Sequence, residues 1–344
     1  MDPFTHAFTS IALSQTVRKR LPRFGMLMMV AGGVAPDIDV IGWLISPGAF
    51  FRTHRVVFHS ILGAIVLSCA LAYLFVELDK KVPWDNPQKR RPPLVTFRKA
   101  LPFCAAGVVA HIALDCLSTV GVALFWPFYG KFYGTELVLN LDFWMLAILV
   151  LGLLLPLLIR VVNEEIGAGT KKQRGVSVSA IVTFALLGAY LGGRAGIRAK
   201  AVHLLLYRDY HGREANSAHA YPTLTSPFVW RGVIDTDDTV EVITVPVLNA
   251  DEFENDRSLS FFKPPESPEL KAAQATADAK RYLLYARDPL AMSDRREDDY
   301  RVEIKDLRFA PDDTSPENLN LRVQFNSLLK ERYEKYFYAT VFTP

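Results

Sequence analysis

The sequence predicts a mainly α-helical, polytopic membrane protein that carries an extramembrane α+β domain at its C-terminal end. Half of its 344 residues are hydrophobic and 22% are charged, and the mean hydropathy is +0.15. The long apolar runs lie within residues 24–197, whereas most of the acidic residues follow residue 198. This asymmetry excludes a single soluble domain, a disordered chain and a fibrous repeat. The net charge of +3 gives no support to nucleic-acid binding.

The apolar runs are long enough to predict membrane spans, because a helix needs about 20 mostly apolar residues to cross a bilayer. The segment 3–17 is shorter and more polar, and it lacks the basic start and cleavage-type end of a signal peptide. We therefore predict a short or re-entrant N-terminal helix followed by about five spans, at residues 24–46, 57–77, 100–125, 141–160 and 177–197.

The basic residues orient these spans, because cytoplasmic loops are enriched in lysine and arginine. Fifteen such residues precede the first span or lie in the loops that follow the second and fourth spans, and three lie in the short loops on the opposite side. The side with fifteen is predicted to be cytoplasmic. The loops 47–56 and 126–140, and everything after about residue 198, are predicted to face outward.

The tail is predicted to form a separate extracytoplasmic domain, so that the chain divides into a transmembrane domain (1–197) and an α+β domain (198–344). Residues 228–247 alternate like two strands joined by a polar turn at Asp235–Asp238. Further elements predicted here are a helix over 269–287 and strands over 300–309 and 320–329.

Ionisable side chains inside a span are costly in free energy and are therefore candidates for function. In HIALD, His111 and Asp115 lie one turn apart on one face of the third predicted span. These two side chains can ligate one metal ion, or one can orient the other. The alternative is a hydrogen-bonded pair that only ties helices together.

Asp37 and Asp39 lie in the first predicted span and would point to opposite sides of a straight helix. Gly32, Gly33 and Pro36 indicate that the helix is broken here. Broken backbone is tolerated at membrane depth where it lines a cavity or is buried in protein, so both carboxylates can face one polar pocket. The alternative is that Asp37 caps a restarted helix and Asp39 faces the water interface.

His54 and His59 lie at the outer end of the second predicted span. A loop histidine is usually solvated, so His54 alone carries little weight, whereas His59 has apolar neighbours on both sides. Arg55 suits either a phosphate clamp or a surface anchor. His6 joins this set if the N-terminal segment crosses the membrane or enters it from outside.

The predicted topology places most of these residues at a similar depth near the outer side of the membrane. Mixed histidine and aspartate sets suit Zn²⁺ and related divalent ions such as Mn²⁺, and seven side chains are enough for two ions. Two metal ions about 3.5–4 Å apart are the usual device for hydrolysing phosphate esters. The predicted metal ligands are His6, Asp37, Asp39, His54, His59, His111 and Asp115.

Four segments, DPFTHAF, APDID, HRVVFHS and HIALDCLSTVGVALFWPF, together resemble the YdjM-like family of bacterial inner-membrane proteins. In the tail, YPTLTSPFVWRGVID and YRVEIKDLRF resemble segments of the longer members, so the resemblance spans most of the chain. The family is described as LexA-binding and as predicted metal-dependent hydrolases. The resemblance implies the same activity here, with the seven residues above as the metal-site set.

The order of these motifs is also distantly similar to that of zinc-dependent phospholipase C and related nucleases. The chain lacks the further downstream HxxxE/D motif of those enzymes, so a three-zinc site is not expected. A LexA partner is not expected either, because the site is predicted to face outward.

We therefore predict a multi-pass hydrolase of the bacterial inner membrane that uses one or two divalent ions, zinc or else manganese, to lower the pKa of a bound water. Asp39 or Asp115 would act as the base or orient a ligand histidine, and Arg55 would bind substrate. The position of the site in the bilayer favours an amphiphilic substrate, such as a phosphoester of a lipid or envelope molecule.

Two other functions remain open from the residues alone. Intramembrane aspartate and histidine also build ion and proton pathways, which would make the protein a transporter or a metal-handling protein, although the sequence shows no paired halves. The chain can also be a membrane-anchored binding module, in which the tail recognises a partner and the His/Asp set is structural.

Overall fold

The computed structural model describes residues 1–41, 53–82, 94–165, 174–224, 226–249, 253, 258–296, 299–309 and 339–341. These residues are mainly helical up to residue 206 and contain strands from residue 217 onward. They divide into two compact units, the first up to Gly193 and the second from Arg194 onward.

The first unit is built from helices. They are α1 (Pro3–Thr16), α2 (Gly25–Val34), α3 (Ile61–Lys81), α4 (Phe97–Leu117), α5 (Phe143–Glu165) and the first part of α6 (Arg174–Leu206). A 3₁₀ turn, Ala35–Ile41, continues directly from α2. Side-chain caps start two of the helices: the Asp2 carboxylate accepts from the backbone N–H of Thr5, and the Ser60 hydroxyl accepts from that of Gly63.

Among the described residues, three helices are long and apolar enough to cross a membrane: Ile61–Lys81, Phe97–Leu117 and Val176–Leu206. They correspond to three of the predicted spans, although the second of them ends at Leu117 and not near residue 125. A shorter apolar helix, Phe143–Ile159, lies in the fourth predicted span.

The predicted number of about five spans is not confirmed. Among the described residues of the first predicted span, the α-helical part is the ten residues of α2; they extend about 15 Å, half the thickness of the bilayer core. That predicted span ends at residue 46, beyond the described residues. The fourteen residues of α1, about 21 Å long, are also too few to cross.

Helix α1 has its polar side facing inward. Thr5, His6, Thr9 and Ser10 are buried, whereas Phe4 is exposed. In water this distribution would be unfavourable, because apolar surface prefers to be removed from solvent. It suits a helix whose outer face meets lipid and whose inner face lines a polar site.

Helices α2 and α4 approach each other at backbone distance. A Cβ atom on Gly32 would overlap the carbonyl oxygen of Cys104, and one on Gly107 would overlap that of Met29. Small residues allow this close packing of membrane helices. As a result, the C-terminal end of α2 lies against the middle of α4.

A buried carboxylate joins the helices at the end of the bundle where α2 begins and α3 ends. Asp79, in the last turn of α3, accepts hydrogen bonds from the Arg23 guanidinium at 2.8 Å and from the Val95 backbone N–H at 2.7 Å. This pairing joins the start of α2, the end of α3 and the segment before α4 at the end that carries the basic residues.

The second unit contains two antiparallel sheets. One has the order β1 (Ser217–Pro222), β2 (Val229–Asp235), β3 (Thr239–Pro246) and β4 (Leu259–Phe262); the other has the order β5 (Pro289–Arg296), β6 (Asp299–Asp306) and β7 (Ala339–Val341). Strands β2 and β3 pair with Trp230 opposite Val245, which confirms the predicted strand pair. The core around Trp230 includes Leu205 at the end of α6.

Two elements of this unit differ from the prediction. The helix expected over 269–287 is divided into α7 (Pro268–Ala275) and α8 (Ala277–Tyr285), because Thr276 leaves the helix and caps α8 through its hydroxyl. The strand expected over 300–309 ends at Asp306, and a 3₁₀ turn follows. The strand expected over 320–329 lies outside the described residues.

The packing of α2 on α4 predicts that Gly107→Ala destabilises the protein by about 1–3 kcal/mol, since the added methyl meets backbone that cannot rotate away. Thermal unfolding in detergent measures the effect. Gly192→Ala on α6 is the matched control, because nothing lies within 4 Å of the added Cβ, and it should leave stability unchanged or slightly higher. Equal melting temperatures for the two variants would contradict this packing.

Candidate metal centre

Four side chains form a group that can hold a metal ion: Asp37, His59, His111 and Asp115. One ligand atom from each lies within 4.8 Å of all the others. We call these residues the four-residue group. His59, His111 and Asp115 are fully buried, whereas the Asp37 side chain retains 12% of its exposure.

Local structure explains how distant parts of the chain meet here. Asp37 lies in the 3₁₀ turn that follows α2, and His59 lies immediately before the cap of α3 at Ser60. His111 and Asp115 are one turn apart on α4, as their spacing predicts. The contact between α2 and α4 then brings Asp37 beside His111.

The acceptor groups beside the two histidines indicate which ring nitrogen faces the group. His111 Nδ1 lies 2.7 Å from the Gly33 carbonyl oxygen; a carbonyl can only accept, so this nitrogen carries the proton and Nε2 presents a lone pair. His59 Nδ1 lies 3.3 Å from a carboxylate oxygen of Asp39, which favours the same tautomer. Backbone carbonyls and carboxylates orient metal-ligating histidines in this way.

The two Nε2 atoms consequently face each other at 3.0 Å. Two lone pairs at this separation repel unless a proton or a cation lies between them. Asp115 Oδ2 is 3.2 Å from His59 Nε2 and 3.5 Å from His111 Nε2, and it has no hydrogen-bond partner within the described part of the chain. A buried carboxylate oxygen without a partner is costly, and a bound cation would satisfy it.

The spacing of the ligand atoms fits a tetrahedral ion. Asp37 Oδ1 lies 3.7 Å from His59 Nε2 and 3.6 Å from His111 Nε2, and the other three measured separations run from 3.0 to 3.5 Å. Tetrahedral zinc with bonds of about 2.0–2.1 Å separates its ligand atoms by about 3.3–3.4 Å. The donor set, two imidazoles and two carboxylates, also suits zinc or manganese.

Asp39 lies outside the four-residue group. One of its carboxylate oxygens is 3.0 Å from His54 Nδ1, and the other accepts from the Arg55 backbone N–H at 3.0 Å. Asp37 and Asp39 therefore contact opposite nitrogens of the His59 ring, and the expectation that both face one pocket is wrong. In a 3₁₀ turn with three residues per turn, side chains two positions apart project in different directions.

His54 also stays apart from the four-residue group. Its ring is 6.1 Å from that of His59, measured between centroids, and it is tied to Asp39. Burial, together with the nearby Arg55 charge, lowers the pKa of His54 below its usual value even though Asp39 opposes this. The ring is therefore neutral at pH 7.

His6 packs beside the group. Its ring stacks on that of His111 at 3.7 Å between centroids, and its Nε2 is 3.5 Å from Asp115 Oδ1. Both ring nitrogens are buried without a hydrogen-bond partner among the described residues. The structure therefore places His6 next to the four-residue group; its role as a metal ligand stays a prediction.

Arg55 is buried next to Asp115, so the surface-anchor alternative is wrong. Its guanidinium donates to the Ser118 hydroxyl at 2.9 Å and to the Asn140 side-chain oxygen at 3.3 Å. It also lies 3.3 Å from Asp115 Oδ1, an oxygen that the Met1 amino group contacts as well.

Three groups that support the site were missed from the sequence. The Gly33 carbonyl holds His111, and Ser118 and Asn140 hold Arg55. Ser118 follows Asp115 by three residues and was within reach of a sequence argument. Gly33 acts through its backbone carbonyl, and Asn140 is far from Arg55 in sequence. No sequence pattern therefore predicted either contact.

Residues 1–197 match the family model of the YdjM inner membrane protein. The chain belongs to this family. The YdjM match covers all four members of the group, together with His6, Asp39, His54 and Arg55. No curated protein and no solved structure matches the chain.

The geometry predicts that purified protein binds a divalent ion and that His111→Ala and Asp115→Asn lose it, because each variant removes one donor. Elemental mass spectrometry of detergent-purified protein measures the metal per chain. His203→Ala is the control, since this histidine is exposed on α6. Equal metal content in all four proteins, or none in the wild type after incubation with zinc, would contradict the site.

Asp39→Asn should weaken metal binding by about 10–100-fold, because a neutral amide orients His59 less well than a carboxylate. Competition with a zinc indicator measures the affinity. The control is Asp79→Asn, which changes another buried carboxylate that accepts from a side chain and a backbone N–H, at the opposite end of the bundle. An affinity that falls equally in both variants would indicate a general loss of structure.

Proposed function

We propose that the protein is a membrane-bound, metal-dependent hydrolase that acts on a phosphoester of a lipid or envelope molecule. The observation that carries this proposal is the convergence of two imidazole Nε2 atoms and two carboxylate oxygens in one buried group. Membership of the YdjM inner membrane family supports the proposed location in the inner membrane.

A divalent ion held by the four-residue group, zinc or else manganese, would act as a Lewis acid and lower the pKa of a water molecule. The protein holds the two ligand histidines in position for the ion. Gly33 and Asp39 hold the two histidines in one tautomer and one orientation. Asp37, as the least buried member, marks the side from which substrate reaches the group.

A base is needed to take the proton from the attacking water, and the two predicted candidates are Asp39 and Asp115. Both oxygens of Asp39 already lie within 3.3 Å of ring or backbone nitrogens. Asp115 Oδ2 instead faces the ligand atoms of the group, 3.2 Å from His59 Nε2 and 3.5 Å from His111 Nε2. We therefore propose that Asp115 accepts the proton of the attacking water and that Asp39 positions His59.

Arg55 has two roles in the proposed mechanism. Its guanidinium next to Asp115 offsets the carboxylate charges that would otherwise repel each other in a region of low dielectric. The same positive charge would attract the phosphate oxygens of a substrate.

The topology that we propose keeps about five spans and an extracytoplasmic C-terminal domain from about residue 198. The basic residues at the start of α2 and the end of α3 lie at one end of the bundle, with Asp79, and the four-residue group lies at the other. By the positive-inside rule the basic end is cytoplasmic, so the metal centre faces outward.

Hydrolysis of bis(p-nitrophenyl) phosphate and of phosphatidylglycerol by zinc-loaded protein tests the proposal. Asp115→Asn removes a metal donor as well as the assigned base, so it should reduce the rate by at least the factor of about 10²–10⁴ that a general base usually contributes, and His203→Ala should not change it. Full activity of Asp115→Asn, or activity that survives removal of the metal, would refute the mechanism. Metal uptake into proteoliposomes without any hydrolysis would favour the transporter alternative.

A further inference from the structure

A cavity of about 510 Å³ opens beside the metal centre. Its volume lies within the range of sites that bind small molecules. Two polar side chains, Asp37 and His54, stand on its wall. The apolar side chains that line it come mainly from the end of α2 and the 3₁₀ turn: Val34, Ala35, Ile38 and Val40.

This cavity is the access route to the four-residue group. Among the members of the group, Asp37 alone lines the cavity, while the other three are completely enclosed. A substrate that enters through this cavity passes Ile38 and Val40, which are 52% and 47% exposed. Water-soluble phosphoesters gain nothing from such a path, whereas an apolar chain does.

The exposed apolar residues around the cavity continue onto α1. Pro3 lines the cavity and Phe4, its neighbour, is 66% exposed. In an inner-membrane protein this surface meets the lipid acyl chains, so the cavity can take a chain laterally from the bilayer.

We propose that the cavity binds the acyl chain of a membrane amphiphile and thereby presents its headgroup phosphoester to Asp37 and the metal centre. This inference rests on the proposed function. It narrows the proposed substrates from phosphoesters of lipid or envelope molecules to those of lipids with long acyl chains. Ala35 and Ile38 then determine how much chain is accepted.

The test counts bound lipid by native mass spectrometry of detergent-purified protein, with dioleoylphosphatidylglycerol and dihexanoylphosphatidylglycerol as probes. Ala35→Phe fills the cavity, and Ile38→Asn makes its wall polar. The controls carry matched changes at exposed apolar positions of α3, Val66→Phe and Ile65→Asn, where the side chains are 59% and 57% exposed. Metal content and thermal unfolding check that each variant is folded.

We expect one dioleoyl lipid per chain in the wild type and in both controls, and about tenfold weaker retention in the two cavity variants, as expected for the loss of one large apolar contact. Equal retention in cavity variants and controls would overturn the proposal. Equal retention of the dihexanoyl lipid would also overturn it, since the headgroup and not the chain would then be bound.

Lipid retention is counted in zinc-loaded and in chelator-treated protein. A protein that binds no metal but retains the dioleoyl lipid would refute the hydrolase while the acyl-chain site stands. A protein that binds metal but discriminates neither chain length nor cavity variants would refute the acyl-chain site alone.

Discussion

The direct backbone contact between α2 and α4 is the constraint on which the rest of the first unit depends. Gly32 and Gly107 allow the two helices to approach until any side chain at either position would overlap main-chain atoms. At this distance the Gly33 carbonyl, near the end of α2, reaches His111 in the middle of α4. One packing contact therefore both assembles the helices and fixes the ring orientation of a candidate metal ligand.

The charges of the buried side chains also favour a cation at the site. Asp37, Asp39 and Asp115 are gathered in a region from which most water is excluded, opposite Arg55 and the Met1 amino group. Buried carboxylates that outnumber their cationic partners are unfavourable unless a further positive charge is bound. A divalent ion between the four ligand atoms would remove this imbalance, and it would also separate the two opposed lone pairs of His59 and His111.

Much of the candidate site could be predicted from the sequence, because the relevant spacings are local. The i,i+4 spacing of His111 and Asp115 requires only that residues 97–117 form a helix, which their apolar composition favours. The expected break after Gly33 is present as a 3₁₀ turn. The error was the direction of Asp39, because residues two positions apart project in different directions in a 3₁₀ turn, as they also would in a restarted α-helix.

The sequence by itself determined that the chain enters a membrane, that the seven candidate metal ligands lie in the first 115 positions, and that the tail contains paired strands, because composition and period are local properties. Only the tertiary structure decided which four of seven candidates meet in one group, that Arg55 is buried against Asp115, and that an apolar cavity leads to Asp37. These facts depend on contacts between residues up to 78 positions apart, such as that of Gly33 with His111, and such contacts arise from packing, which no local pattern encodes.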